Sequence, residues 1–368
     1  MVMNTSTTEL IGPERFAARR DKLRGLVREK GLDALIVSLD ANRYYLSGFE
    51  LQDHQVDESA GCLVIRAQGP DILCTDARYH TAACRLWDER HVFIYGPDPA
   101  RQIGEMAKGS LPAKASVGFE AKICNVAFYQ ALMENLSLVP ADGLVETLRV
   151  IKEPEEIARL EKAVALNHAL MAWLPAVLPS AESESDLAWL IERYFRENGA
   201  SSLSFPSIVA VGPNAALPHA IPGETPITEE SCVLIDVGCR LDDYCSDQTR
   251  TFWVGAKPST EFLTAMDQVR GAQEAAIAAI RPGVRAADVY AVARNHFDSR
   301  GAAAHFTHSL GHGVGLQTHE APSLGPRSQA TLEPGMVVTV EPGLYYPEWG
   351  GIRWEYMVLV TEDGHKIL

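Results

Sequence analysis

Apolar and polar positions alternate along the chain with two rhythms. Residues 14–30 repeat apolar side chains at helical spacing, with Phe16, Leu23, Leu26 and Val27 on one side. GLDALIVSLD (31–40) then reads as a buried strand entered through a glycine turn. Strand-like runs at 61–66 and 71–75 and helical patterns at 100–108 and 125–136 continue the alternation. Together they predict an α/β unit of about 145 residues. LRVIKEPEE (148–156) interrupts the pattern with a proline and a charge cluster. It marks a boundary between an N-terminal domain, 1–150, and a second domain, 151–368. The second opens with a long helix from about 154 to 177.

That second part carries a weak internal repeat. One copy is LPSAESESDLAWLIERYFRENGA (178–200), the other RPGVRAADVYAVARNHFDSRGA (281–302). Asp186 to Gly199 and Asp288 to Gly301 are both thirteen apart. Each copy follows a helix, has a proline in its connector and ends at a glycine suited to a helix C-terminus. About 20 residues further on stands a histidine, His219 or His319. The pattern predicts duplicated halves about a pseudo-twofold axis, with one histidine from each half at a shared site. Chance helix patterning is the alternative, because the identity between the copies is low.

LIDVGCRLDDYCSDQTRT (234–251) reads as a strand hairpin rich in β-branched residues. A turn centred between Leu241 and Asp242 sets Asp236 directly opposite Asp247, with Cβ atoms about 5 Å apart. Like charges so placed repel, and a divalent cation between them is the simplest remedy. The alternative is that both acids point to solvent or that a bulge separates them. Asp242 and Asp243 read as ordinary turn residues.

Three further stretches carry candidate chemistry. HFTHSLGHGVGLQTHE (305–320) sets His308, His312 and His319 around glycines 311, 313 and 315, which allow tight turns and close approach to a ligand. MVVTVEPGLYY (336–346) ends an apolar strand at Glu341, a carboxylate that needs a partner if buried. GGIRWEYMVLV (350–360), read as one strand, puts Arg353 and Glu355 on one face; a surface ion pair is the plainer reading. Asp236, Asp247, His312, Glu341 and Glu355 supply four carboxylates and one imidazole. Two divalent cations would neutralise the four carboxylates, and Mn²⁺, Co²⁺ or Zn²⁺ suits such oxygen-rich ligands. This is the layout of a two-metal hydrolase, in which a bridging water is deprotonated near neutral pH.

Composition narrows the partners. The chain has 368 residues, is 46% hydrophobic and 22% charged, and has a formal net charge of −15. That balance argues against nucleic-acid or anionic-membrane partners. No run approaches the roughly 18 apolar residues of a membrane span. MVMNTSTTELIGPERFAARR lacks the apolar core of a signal peptide. The seven cysteines are scattered without CxxC spacing, which points to a reduced, cytoplasmic chain. Cys239 and Cys245 flank the hairpin turn and read as strand residues.

With these motifs in hand, the segment from about 154 to 368 resembles the pita-bread metallopeptidases: methionine aminopeptidase, aminopeptidase P and prolidase. The resemblance rests on LIDVG, SDQTRT, GHGVGLQTHE, VEPGLYY and GIRWEY in that order and spacing. NRYYLSGFE (42–50) and TDARY (75–79) resemble the creatinase/prolidase N-terminal domain, which favours the Xaa-Pro branch. The resemblance implies an α/β (α+β) chain with a creatinase-like N-terminal domain and a pseudo-twofold pita-bread catalytic domain. It implies that Asp236, Asp247 and Glu355 ligate one metal and Asp247, His312, Glu341 and Glu355 the other. Mn²⁺ or Co²⁺ is expected foremost, and Zn²⁺ also fits. Glu341 is similar to the family's general base for the bridging water, and His319 to the histidine that contacts the scissile carbonyl. His219 resembles the histidine facing it across the cleft. His308, Arg353 and Tyr345 match residues that shape the proline side of the pocket. The expected substrate is a small peptide with proline second, and a homodimer is expected. In such a dimer the 44–56 loop and DESAGC (57–62) are candidates to reach the partner's site.

Three positions depart from the family pattern: Tyr356 stands where an acid is common, Trp354 replaces a smaller aliphatic residue, and Gln248 replaces an apolar one. None is a ligand position, but Tyr356 bears on what supports the ligands. Other readings are a ring or amide hydrolase of small molecules (ectoine hydrolase-like), a metal-free creatinase-type enzyme, and a non-catalytic binding protein. The last two typically lose ligands or key histidines, and all are present here.

Overall fold

The structure is a computed structural model that describes residues 11–53, 55 and 58–368. The chain start and His54, Val56 and Asp57, within the leader and partner-loop readings above, lie outside the described residues. The chain divides into two compact units, Met1–Arg149 and Val150–Leu368.

The first unit is a six-stranded mixed sheet in the order β4-β3-β2-β1-β5-β6. Its strands are β1 (Ala34–Val37), β2 (Cys62–Arg66), β3 (Ile72–Asp76), β4 (Val92–Tyr95), β5 (Ser116–Phe119) and β6 (Ser137–Pro140). Helices α1 (Pro13–Glu29), α2 (Asp40–Ser47), α3 (His80–Leu86), α4 (Pro99–Ser110) and α5 (Val126–Met133) alternate with them except between β2 and β3, and α6 (Leu144–Val150) follows. β1 is buried along its whole length, as its unbroken ALIV run requires. The buried Glu120 carboxylate receives the backbone N–H groups of Ser38 and Leu39 at 2.6 and 2.7 Å and so ties down the chain just before α2.

In the second unit two helix pairs precede the strands that bear the candidate ligands. α7 (Pro154–Val177) and α8 (Glu184–Glu197) lead to β7 (Ser202–Leu203), β8 (Ile208–Val211) and β9 (Ser231–Val237). β10 (Cys239–Leu241), β11 (Tyr244–Cys245) and β12 (Gln248–Val254) complete this half. α9 (Thr260–Ala279) and α10 (Ala286–Asp298) lead to β13 (Val337–Val340), β14 (Gly343–Tyr346), β15 (Gly350–Arg353), β16 (Tyr356–Val360) and β17 (His365–Ile367). α8 and α10 are the two repeat copies, and both end at a glycine with positive φ, Gly199 and Gly301. β8 and β9 are covered on both faces: Val209, Val233 and Ile235 pack into one core, Ala210, Cys232 and Leu234 into the other.

By length and composition the helical stretch Pro154–Ser180, which contains α7, is apolar enough to cross a membrane, although it holds no unbroken apolar run of that length. It buries Leu160, Ala163, Leu170 and Leu174, and Ala163, Leu170 and Leu174 join the core beneath β9. Its apolar stripe is therefore used as protein core.

The hairpin turn lies one position later than expected, which moves the pairing by two residues and keeps each side chain on its expected face. Asp242 and Asp243 form a two-residue turn with φ of 49° and 73°. Turns with both central residues left-handed match the twist of the flanking strands, and Asp tolerates that conformation. Leu241 consequently pairs with Tyr244, and Asp236 pairs with Thr249 rather than Asp247. Asp247 sits diagonally across on the same face, where the ladder bends between β11 and β12. Gly238 permits the bend, because a Cβ there would lie 1.9 Å from the Ser246 carbonyl oxygen.

Residues 350–360 are likewise two strands. β15 pairs with β14, and β16 with β13, so the chain changes sheets at Trp354–Glu355.

Candidate active site

Four carboxylates arrive from four strand ends. Asp236 comes from β9, Asp247 from just before β12, Glu341 from just after β13 and Glu355 from just before β16. Asp236, Asp247 and Glu355 are buried, and ligand oxygens of these three lie within 4.8 Å of one another. Burial and mutual repulsion push the Asp247 carboxyl well above the usual range: burial contributes most, followed by Glu355, Asp236 and Glu341. Glu355 is raised in the same way by burial, then by Glu341 and Asp236.

Arg353 is the cation set against this cluster. Its guanidinium is buried and donates to Asp236 Oδ2 at 2.7 Å, Thr249 Oγ1 at 3.0 Å and the Tyr345 hydroxyl at 2.9 Å. Thr249 in turn donates to Glu355 Oε2 at 2.8 Å. Tyr345 meets His308 Nε2 at 2.8 Å, while His308 Nδ1 donates to the Ser309 carbonyl at 2.7 Å. The three residues expected on the proline side therefore form one hydrogen-bonded chain, Arg353–Tyr345–His308. His308 and Arg353 line the cavity; Tyr345 lies buried behind them.

His312 faces the acids through one nitrogen. Its Nδ1 donates to the Gly313 carbonyl at 3.0 Å, which sets the tautomer that the neutral ring takes and turns Nε2 toward the acids. Nε2 lies 3.3 Å from Glu341 Oε1 and 3.6 Å from Asp247 Oδ2. Thr339, two residues before Glu341, donates to Glu341 Oε1 at 3.0 Å and accepts the His312 N–H at 3.1 Å. Burial acts to raise Glu341, but the hydrogen bond and charge of His312, then His308 and Arg353, outweigh it and hold it at about 2. Gly311 lines the cavity and also permits close packing, since a Cβ there would lie 2.0 Å from the Thr339 carbonyl oxygen.

These residues fit a divalent metal centre. Asp236 Oδ1 and Glu355 Oε1 are buried without any hydrogen-bond donor, which is costly unless a cation meets them. The donor set is hard oxygen plus one imidazole with a preset tautomer. Among the described residues the other potential ligand group, His80, Cys84 and Glu89, is only partly buried and its Glu89 is exposed.

Asp236, Asp247 and Glu341 line a cavity of about 490 Å³. His319 and His219 also line it, as do the apolar Phe205, Ile208 and Ile221. The His319 and His312 rings lie 4.3 Å apart, centre to centre. Burial, followed by the charge of His312, lowers His319. Sequence reasoning missed the threonines that organise the site. Their signal was strand periodicity, which puts Thr249 on the face of Asp247 and Thr339 on the face of Glu341. Gln273 was missed too; a polar residue among the alanines of α9 was its only signal.

The comparisons agree with this architecture. Residues 158–362 match metallopeptidase family M24, and residues 19–151 match the creatinase/prolidase N-terminal domain. The chain belongs to metallopeptidase family M24 and is a hydrolase of peptides. It is 36% identical to an uncharacterized peptidase of Bacillus subtilis, over 95% of this chain and 96% of that one. Its fold is similar to the structure of an Xaa-Pro dipeptidase from Bacillus anthracis, with a TM-score of 0.87, 32% identity, and 96% and 97% coverage. It is also similar to an X-Pro aminopeptidase from Thermotoga maritima, with a TM-score of 0.79, 28% identity, and 92% and 95% coverage.

Proposed function

We propose that this chain hydrolyses the peptide bond before a proline in small peptides. The observation that carries the reading is the buried carboxylate cluster with donorless oxygens, three of whose acids line a cavity of about 490 Å³. Similarity to proteins named for Xaa-Pro cleavage supports the substrate class. Asp236, Asp247 and Glu355 would hold one divalent cation, and Asp247, His312, Glu341 and Glu355 a second, with Mn²⁺ or Co²⁺ foremost. Such a pair supplies Lewis acidity and makes a water acidic enough to ionise near neutral pH.

The protein's own groups do the rest. Glu341 is ionised at working pH and accepts the proton of the attacking water. His319, neutral at that pH, donates a hydrogen bond to the scissile carbonyl oxygen as negative charge develops on it. His219 faces the substrate from the apolar rim of the cavity, and His308 borders the proline ring.

The test is turnover by chelator-stripped enzyme with Mn²⁺, Co²⁺ or Zn²⁺ restored. An Xaa-Pro dipeptide, an Xaa-Pro-Xaa tripeptide, an Xaa-Ala control and ectoine make the panel. Cleavage of the dipeptide alone names a dipeptidase; cleavage of the tripeptide names an aminopeptidase. Silence on every peptide with turnover of ectoine overturns the proposal in favour of a ring hydrolase. His319→Ala should lower kcat by about 10²–10³-fold and leave metal content nearly unchanged. Loss of both metals in that variant would show His319 to be a ligand instead.

A further inference from the structure

Glu355 lies where the chain crosses between two sheets, outside the paired stretches of β15 and β16, and its N–H donates to the Thr249 carbonyl at 3.2 Å. Buried carbonyls in such a crossing need donors from elsewhere. Two side chains from separate elements provide them. Gln273 of α9, itself buried, donates to the carbonyls of Val340 at 2.9 Å and Trp354 at 2.8 Å. Those are the residues immediately before Glu341 and Glu355, so one amide ties together the backbones that carry two of the acids. Arg250 of β12 donates through Nη1 to the carbonyls of Glu355 and Thr249.

Arg250 is itself clasped. Its guanidinium carbon lies 4.4 Å from the centre of the Trp354 ring and 4.3 Å from that of Tyr356. These are two of the three positions that depart from the family pattern. A guanidinium this close to two aromatic rings is held by cation–π attraction, which restrains where its N–H groups point. The residues on either side of Glu355 therefore grip the cation that grips the Glu355 carbonyl. Because the Glu355 side chain is almost wholly buried, with Oε2 bound by Thr249, rotation at this crossing would carry the carboxylate away from Asp236 and Asp247.

We propose that Arg250, clasped by Trp354 and Tyr356 and assisted by Gln273, is a positioning residue that presets Glu355 for the metal centre. The inference rests on the reading of the acidic cluster as a metal site. Arg250 touches neither the cavity nor the ligand oxygens, so its action is through the backbone of Glu355.

The test is Mn²⁺ titration of the metal-free full-length chain by calorimetry, with thermal melting of the same metal-free samples. Arg250→Ala should weaken Mn²⁺ binding about 10–100-fold, the range typical of residues supporting metal ligands. Arg250→Lys should fall in the same direction, since a point charge neither stacks as a plane nor spans two carbonyls. Tyr356→Phe keeps the ring and should retain most of the affinity; Tyr356→Ala should not. If Arg250→Ala does not fold, Trp354→Leu carries the test, because it removes one face of the clasp and leaves every backbone hydrogen bond available. Variants that melt lower yet bind Mn²⁺ as wild type does would overturn the inference and leave Arg250 as packing alone. A wild-type chain that binds no Mn²⁺ would overturn the metal reading itself, and the inference with it.

Discussion

Asp247→Ala should abolish peptide hydrolysis and reduce bound metal to one ion or none, while making the metal-free chain more stable. The two effects have one cause. Asp247 stands among Asp236, Glu341 and Glu355, and burial with those charges raises its carboxyl well above the ordinary range. A carboxyl raised on folding contributes stability that is full below its unfolded pKa and is lost as pH rises through its folded pKa. At neutral pH the metal-free wild type therefore carries an unfavourable carboxyl that Ala removes. Metal reverses the sign: cations that bind only the folded state stabilise it by about 4 kcal/mol at 1,000 times their Kd. The variant should accordingly show a higher metal-free Tm, less dependence of Tm on pH above the ordinary carboxylate range, and little gain on adding Mn²⁺. Elemental analysis and melting curves from pH 5 to 8 check all three. Full activity with two metals retained would remove Asp247 from the centre.

Arg353→Ala should act in the opposite sense on the metal-free protein. Its buried guanidinium meets Asp236, Thr249 and Tyr345. Burial alone would lower its pKa, but Tyr345, Asp236 and Glu341 outweigh burial and raise it. Removing one partner of a buried ion pair costs about 3–5 kcal/mol, because the other charge stays behind unpaired. Urea unfolding of the metal-free variant should show a loss of that order, and kcat/KM should fall as Asp236 and the Tyr345–His308 chain lose their anchor. Arg353→Lys should recover only part, since an ammonium cannot reproduce the fork of donors. A loss below about 1 kcal/mol would mean that Asp236 is already neutral or solvated without Arg353.

The residues that converge at the site were legible as candidates because acids and histidines stand out by type at the ends of apolar strands and in a glycine-rich loop. Helix α7 was legible to the residue: Glu153 and Glu156 form a reciprocal cap at its start, and Pro154 suits the first helical position. The repeat was legible from its aspartates and terminal glycines, and both copies are helices. The hairpin register was not. A turn of Asp242-Asp243 and one a residue earlier differ by a single position in sequence, and only strand twist selects the left-handed pair. The break at Trp354–Glu355 was hidden for a related reason, since GIRWEYMVLV has strand composition throughout. Strand composition does not report which partner each half pairs with.

Sequence by itself determined which groups are available: four carboxylates, the histidines and Arg353, on elements of predictable type. Local spacing carries that information because strand and helix periods are fixed by the backbone. Tertiary structure alone decided the convergence of Asp236 and Asp247 with Glu341 and Glu355 across about 100 residues of chain, the distance over which loop closure and sheet pairing act. It also decided that Thr249 bridges Arg353 and Glu355, and that Arg250 lies between two rings. These are contacts between elements that pack face to face, and a side chain's partner on another element leaves no trace in the spacing of its own.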